Sequence, residues 1–335
     1  MRASKLDLMS LNASINMNVN SNSYFTQNED IAMHYATTKA DRNPLPASYG
    51  SEARYLGYRD EDRKKPWAHY FKGDTLPVQP HVLEALAAGP SPSEYGFSLN
   101  EAASILSRPG YGKMETGYTI LDDGKIMISI LTNMPGVTGE MWDWWFGWHS
   151  SDTTRYKLWH PDAHYYAGIG EDRSADRSLT DRQRYIDNVS YVDEYLGEKR
   201  SDLTVRFIDP IRLGFEKSRP GSTVIAARGG STSLPVSSAW LIHQVRATED
   251  GAEMRSRFIF NDFQLLDLPP ESLSSPQGRA IATMSEAQVK DFKFPPEAWQ
   301  QLRVIGPDMI YHCASEMNHL ASFLPPLFEE FRDTP

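Results

Sequence analysis

One cysteine, Cys313, stands in 335 residues. No internal disulfide can form, and the chain suits a reducing compartment. No stretch approaches the ~18 consecutive apolar residues of a membrane-spanning helix. Lysine and arginine form no polybasic run, and 34 basic against 44 acidic residues leave a formal charge of −10, which argues against non-specific nucleic-acid binding. The first 25 residues are rich in Asn and Ser and lack the compact apolar segment of a secretory signal. The expectation is a cytoplasmic protein that binds neither membrane nor nucleic acid. A glycine-rich phosphate loop between strand and helix is missing, as is the Gly-x-Ser-x-Gly elbow that presents a serine nucleophile.

What is present is an ordinary globular composition, with a generous set of 8 Trp, 16 Tyr and 14 Phe that can fill a core or wall a pocket. Glu115–Leu121 and Lys125–Thr132 flank Asp122-Asp123-Gly124, and Ala239–Thr248 and Ala252–Asn261 flank Glu249-Asp250-Gly251; both patterns predict hairpins. Ser201–Ile208 and Thr223–Ala227 add strands. Val82–Ala88 predicts a short helix. Ser98–Leu106 predicts another, with Ser98 and Glu101 as a capping box. From Pro295 to Phe331 the pattern is helical, interrupted near Gly306-Pro307 and broken at Pro325-Pro326. Ile310, Cys313, Met317, Leu320 and Leu324 form its apolar stripe. The fold class is therefore α+β: a curved antiparallel sheet gripping a long C-terminal helix. Residues 1–100 are expected as an N-terminal arm and helical accessory region, and residues 101–335 as the catalytic domain.

Four clusters can carry chemistry. His312 and Glu316 are one helical turn apart beside the apolar stripe, so imidazole and carboxylate can chelate one metal. A solvated pair is the competing reading, and two ligands alone do not complete a zinc site. In Trp159-His160-Pro161-Asp162-Ala163-His164, proline prevents a regular helix across the two histidines, so one can be a ligand while the other packs. Glu194 lies among aromatic and apolar residues, where a carboxylate needs a metal or a salt bridge. His243, on the face of Leu241 and Val245, reads as a satisfied core histidine or a catalyst. The segment Met141–His149 holds four tryptophans and suits core or pocket wall; His149 has no evident partner. Glu253, Arg255 and Arg257 alternate along one strand, with a solvated face expected for two of them. Cys313 reads as a small buried hydrophobe.

These pieces, in their order and approximate spacing, resemble the diacetylphloroglucinol hydrolase and phloretin hydrolase family over roughly residues 100–331. The resemblance rests on His312–Leu320, Tyr156–His164, Asp193–Gly197 and the His243–Phe258 hairpin. It implies a helix-grip fold similar to the Bet v 1 allergens. It implies a zinc-dependent hydrolase that cuts the carbon–carbon bond between an acyl group and a polyhydroxylated aromatic ring. Matched by motif, the Zn2+ ligands look like His164, Glu194, His312 and Glu316, with His160 the rival of His164. His243, Asp172 and Tyr156 look like catalytic residues, and Tyr156, Trp159, His160 and Tyr166 like substrate contacts. The implied partner is a small phenolic ketone, and a homodimer is left open. Two other readings stand beside this one: a helix-grip protein that binds an aromatic polyketide, and a metal-dependent cyclase or lyase of secondary metabolism.

Overall fold

Both Asp-Gly turns close the hairpins they predict. The computed structural model describes residues 34–284 and 305–334. Strands β1 (Gly117–Ile120) and β2 (Ile126–Pro135) meet with Ile120 opposite Ile126. Gly124 supplies the positive φ of +84° that the turn requires. Four further strands follow: β3 (His164–Ile169), β4 (Val189–Leu196), β5 (Lys199–Ile208) and β6 (Thr223–Ser231). The second predicted hairpin is β7 (Val236–Thr248) and β8 (Gly251–Leu265), with Thr248 opposite Gly251. All eight strands form one antiparallel sheet in the order β1-β2-β8-β7-β6-β5-β4-β3.

Nine α-helices occur among the described residues. They are α1 (Ala47–Ser51), α2 (Pro80–Ala88), α3 (Leu99–Leu106), α4 (Gly139–Trp148), α5 (Thr153–Trp159), α6 (Asp181–Tyr185), α7 (Pro276–Ala282), α8 (Ile305–Ala321) and α9 (Leu324–Phe331). The capping box is present at α3: Ser98 N–H donates to Glu101 Oε2 at 2.9 Å. Pro325 and Pro326 sit in the first turn of α9, where a missing N–H costs nothing, so the helical run divides into α8 and α9. The part of the predicted helix from residue 295 to 304 lies outside the described residues, as do residues 1–33 of the expected arm.

Helix α8 lies across β1 and β2 and reaches β4. Its stripe of Met309, Ile310, Cys313, Met317 and Leu320 is buried with Ile126, Ile128 and Ile130 of β2. Gly306 permits close approach at the helix start, since a Cβ there would come within 2.8 Å of the Tyr118 ring. Helix α4 is core: Trp142, Trp144, Trp145 and Trp148 are all buried, and α9 packs Phe328 and Phe331 against them. Residues before α2 fasten to β3–β6. Asp41 pairs with Arg206 at 2.8 Å, Tyr49 Oη bonds Thr232 Oγ1 at 2.7 Å, and Arg54 pairs with Asp193 at 2.7 Å. No helix among the described residues is long and apolar enough to cross a membrane.

One expectation needs correction. Glu253, Arg255 and Arg257 are all buried, with none on a solvated face. The loop between α3 and β1 covers them and brings the counter-charge of the two arginines. Glu115 bridges Arg255 at 2.7 Å and also contacts Arg257, while Glu253 pairs with Arg246 and accepts a hydrogen bond from Tyr111. Burial alone would raise the Glu115 carboxyl. The hydrogen bond from Arg255 and the charge of Arg257 overcome that and bring it down to about 2. Removing one partner leaves buried charge uncompensated, which costs roughly 3–5 kcal/mol. Glu115→Ala is expected to lower urea stability by about that amount. A loss below ~1 kcal/mol would show that water already screens the pair.

Candidate metal centre

Four donors from three elements converge beneath α8. His164 opens β3 and faces Glu194 across the β3–β4 ladder. His312 and Glu316 project from consecutive turns of α8. The tightest group among the described residues is His164, Glu194 and His312, with one donor atom of each within 4.8 Å of the others. His164 Nε2 is 3.4 Å from His312 Nε2 and 3.6 Å from Glu194 Oε2, and His312 Nε2 is 3.7 Å from Glu194 Oε1. Glu316 stands just outside this trio, yet its Oε2 is 3.4 Å from His164 Nε2 and 3.8 Å from His312 Nε2. Donors about 2.0–2.2 Å from one tetrahedral ion lie roughly 3.3–3.6 Å apart, so the spacing fits a single small divalent cation. The trio can hold a metal ion.

The surrounding hydrogen bonds aim the donors. His164 Nδ1 lies 3.0 Å from the Tyr156 carbonyl oxygen, which fixes its proton there and leaves Nε2 free as a ligand. The Tyr156 ring stacks on His164 with centroids 3.8 Å apart, and its hydroxyl donates to Glu194 Oε2.

Burial sets the protonation of the metal-free cluster. It raises Glu194 to about 7, against the lowering effect of the Tyr156 hydroxyl, and it raises Glu316 well above the carboxylate range, with Glu194 adding repulsion. It depresses His312 to about 4 and His164 well below the usual histidine value. Each group is driven toward its neutral form, as expected of ionisable groups buried without a compensating cation.

Of the other candidates, His160 and Trp159 lie beside the cluster. His160 caps the end of α5. Its ring lies 5.0 Å from that of His312, and its buried Nδ1 has no hydrogen-bond partner among the described residues. Both histidines of the pair therefore approach the centre, but the nitrogen within the carboxylate group belongs to His164. Trp159 presents its ring edge-on to His164 at 5.9 Å. His243 is buried between Phe146 and Phe258, with Nδ1 2.7 Å from Ser256 Oγ. His149, without an evident partner in the sequence, bonds the Trp145 carbonyl and stacks behind Tyr156.

Two expected residues are not brought to the cluster. A β-bulge between His164 and Tyr166 shifts the side-chain alternation, and Tyr166 packs with Ser48, Tyr49 and Arg54 in a separate small cluster. Asp172 lies beyond the end of β3, exposed, with Oδ1 accepting from the Ser174 N–H. Ser256 was not singled out from the sequence. The register could have found it, because the hairpin that sets Thr248 opposite Gly251 also sets His243 opposite Ser256.

The sequence model described as the DAPG hydrolase PhiG domain matches residues 97–329, which include every residue of this cluster. The chain belongs to that family. The 2,4-diacetylphloroglucinol hydrolase of Pseudomonas protegens is 27% identical over 300 residues, 87% of this chain and 93% of that protein. The phloretin hydrolase of Eubacterium ramulus is 27% identical over 290 residues, 83% and 95% of the two chains. Among solved structures, Ara h 8.0201 aligns over 59% of this chain and 99% of its own at a TM-score of 0.29 and 11% identity. Norcoclaurine synthase from Thalictrum flavum aligns over 59% and 94% at a TM-score of 0.24 and 12% identity.

Metal binding should be linked to pH, because a cation takes the carboxylates deprotonated. The raised Glu194 stabilises the metal-free fold below the ordinary glutamate value, and this contribution is lost as pH rises through about 7. The depressed histidines act oppositely: their contribution is present above the ordinary histidine value and is lost as pH falls, toward about 4 for His312. The difference in thermal stability between zinc-loaded and chelator-treated protein is therefore expected to widen from about pH 5.5 to about pH 8. It should reach about 2.7 kcal/mol when free metal is 100-fold above Kd. A difference that is absent or constant across that range would contradict the coupling.

Proposed function

We propose that this family member is a zinc-dependent hydrolase that cleaves the carbon–carbon bond between an acyl group and a polyhydroxylated aromatic ring. The observation that carries this reading is the buried His164–Glu194–His312 trio, with Glu316 beside it, in a chain whose relatives are named as hydrolases of an acylated phloroglucinol and of phloretin. Mixed imidazole and carboxylate donors suit zinc. In this reading all four residues are ligands, and when bound the ion supplies Lewis acidity toward a carbonyl oxygen and acidifies water.

The remaining steps belong to the chain's own groups. The net reaction adds water across the aryl–acyl bond: the acyl carbon gains hydroxyl and leaves as a carboxylic acid, and the ring carbon gains hydrogen. The ring can leave because a hydroxyl beside the acyl group allows a keto tautomer in which that carbon is protonated. His243 is the proton carrier. Burial holds it down at about 3, so it is neutral near pH 7. With Nδ1 engaged by Ser256, its Nε2 can accept a phenolic proton and return it to the ring carbon. Tyr156 holds Glu194 in place and offers its hydroxyl oxygen to a substrate hydroxyl. His160, whose buried Nδ1 has no hydrogen-bond partner among the described residues, and Trp159, beside His164, form the wall against which the ring lies. Tyr166 and Asp172 take no part in this assignment, given their positions away from the cluster.

The test is incubation of zinc-loaded protein with 2,4-diacetylphloroglucinol and with phloretin, following the released carboxylic acid and deacylated ring by chromatography. Cleavage of one of them, abolished by a chelator and restored by zinc, is expected. His243→Ala is expected to lose roughly 100-fold or more in kcat while retaining the metal. Bound zinc without cleavage of either compound would overturn the assignment, and unchanged turnover in His243→Ala would remove the proton carrier.

A further inference from the structure

The inner face of the sheet is covered at both ends and partly open between them. Helix α8 lies on β1 and β2 and reaches β4. Away from it, Phe146 of α4 packs on Phe207 and His243. Between these covers, Leu203 and Val205 of β5, Gly229 of β6 and Leu241 of β7 keep partial accessibility, although Phe207 and His243 beside them are buried.

The register puts these four residues on one surface. Val205 is opposite Gly229, and Gly229 is opposite Ala239. Leu241 follows Ala239 on the same face of β7, and His243 follows Leu241. At the other end, Leu203 is opposite Val192. It is therefore the diagonal neighbour of Glu194, roughly 7–8 Å away in an antiparallel ladder. The apolar surface thus begins beside the donor cluster and runs across the middle strands. Phe260 of β8, opposite Ala239, bounds it on the far side.

Gly229 gives this surface its depth. Its φ lies outside the left-handed region, so the backbone does not demand glycine. A Cβ there would meet nothing nearer than the Ala239 Cβ at 3.6 Å, an ordinary contact. Its neighbour Gly230 differs, because a Cβ would overlap the Val236 carbonyl oxygen. Packing therefore requires glycine at 230, while at 229 its effect is to leave space above the strand. An apolar hollow continuous with a polar cluster suits the apolar arm of a ligand whose polar end meets that cluster.

We propose that Leu203, Val205, Gly229 and Leu241 form the subsite for the acyl arm, and that the substrates are acylphloroglucinols with an acyl chain longer than acetyl. The proposal rests on the cleavage proposed above. There the ring lies against His160 and Trp159, at the end of α5, and the carbonyl meets the donor cluster. The acyl arm is then left to the β5 side of Glu194, where Leu203 stands.

Alkylphloroglucinols lack the carbonyl and cannot be cleaved, so calorimetric titration of zinc-loaded full-length protein with the ethyl to hexyl series reads the subsite without turnover. Affinity is expected to rise on the order of 3-fold per added methylene. The kcat/KM of the acetyl to hexanoyl series should climb in parallel. Gly229→Leu fills the hollow and is expected to lower the hexyl-to-ethyl affinity ratio about 10-fold or more. Leu203→Ala removes apolar contact and is expected to lower the same ratio about 5-fold. A wild-type series flat within about 2-fold, or wild-type ratios in both variants, would overturn the proposal. Cleavage of acetyl and hexanoyl substrates with equal kcat/KM would overturn the assignment of chain length. If affinity climbs with chain length and Gly229→Leu abolishes the climb, yet no acylphloroglucinol is cleaved, the cleavage reading fails and the apolar subsite stands.

Discussion

Two carboxylates and two imidazoles are buried together between α8 and the β3–β4 edge of the sheet, and much of the structure is arranged around that constraint. Ionisable groups leave water only if something replaces it. Here Tyr156 gives a hydroxyl to Glu194 and a carbonyl to His164. Those contacts orient the donors without neutralising two glutamates. A divalent cation would neutralise them, and the donor spacing fits one.

The architecture follows from the need to bring distant segments to that point. Glu194 and His164 are cross-strand partners, so the β3–β4 ladder fixes their separation. His312 and Glu316 are fixed by helical pitch, and the apolar stripe of α8 locks the helix on β2. The tryptophans of α4 fill the space beside α5, whose Tyr156 and Trp159 back His164. The wall of the centre is thus continuous with the hydrophobic core, which explains why its pKa shifts are dominated by burial.

Much of this was legible in the sequence wherever a local rule had one outcome. Asp-Gly turns allow one connection, and both hairpins appear as read. Ser98 with Glu101 marked a helix start, and paired prolines marked a break. The His312–Glu316 spacing suggested a chelate because pitch alone sets it. Less legible was whatever depended on remote partners. The burial of Glu253, Arg255 and Arg257 depends on Glu115 and Tyr111 from a separate loop, which strand periodicity does not reveal. Tyr166 reads as a neighbour of His164 until a bulge turns it away. The choice between His160 and His164 depended on which nitrogen reaches the carboxylates, a question of ångströms that a motif does not answer.

The proposed metal site counts Glu316 among its ligands. Elemental mass spectrometry of the purified protein, with wild type and Glu316→Ala measured side by side, tests it most directly. About one zinc per wild-type chain is expected, with a large loss in the variant, whose remaining three donors hold the ion more weakly. Equal metal content in the two proteins, or none in either after incubation with zinc, would contradict it.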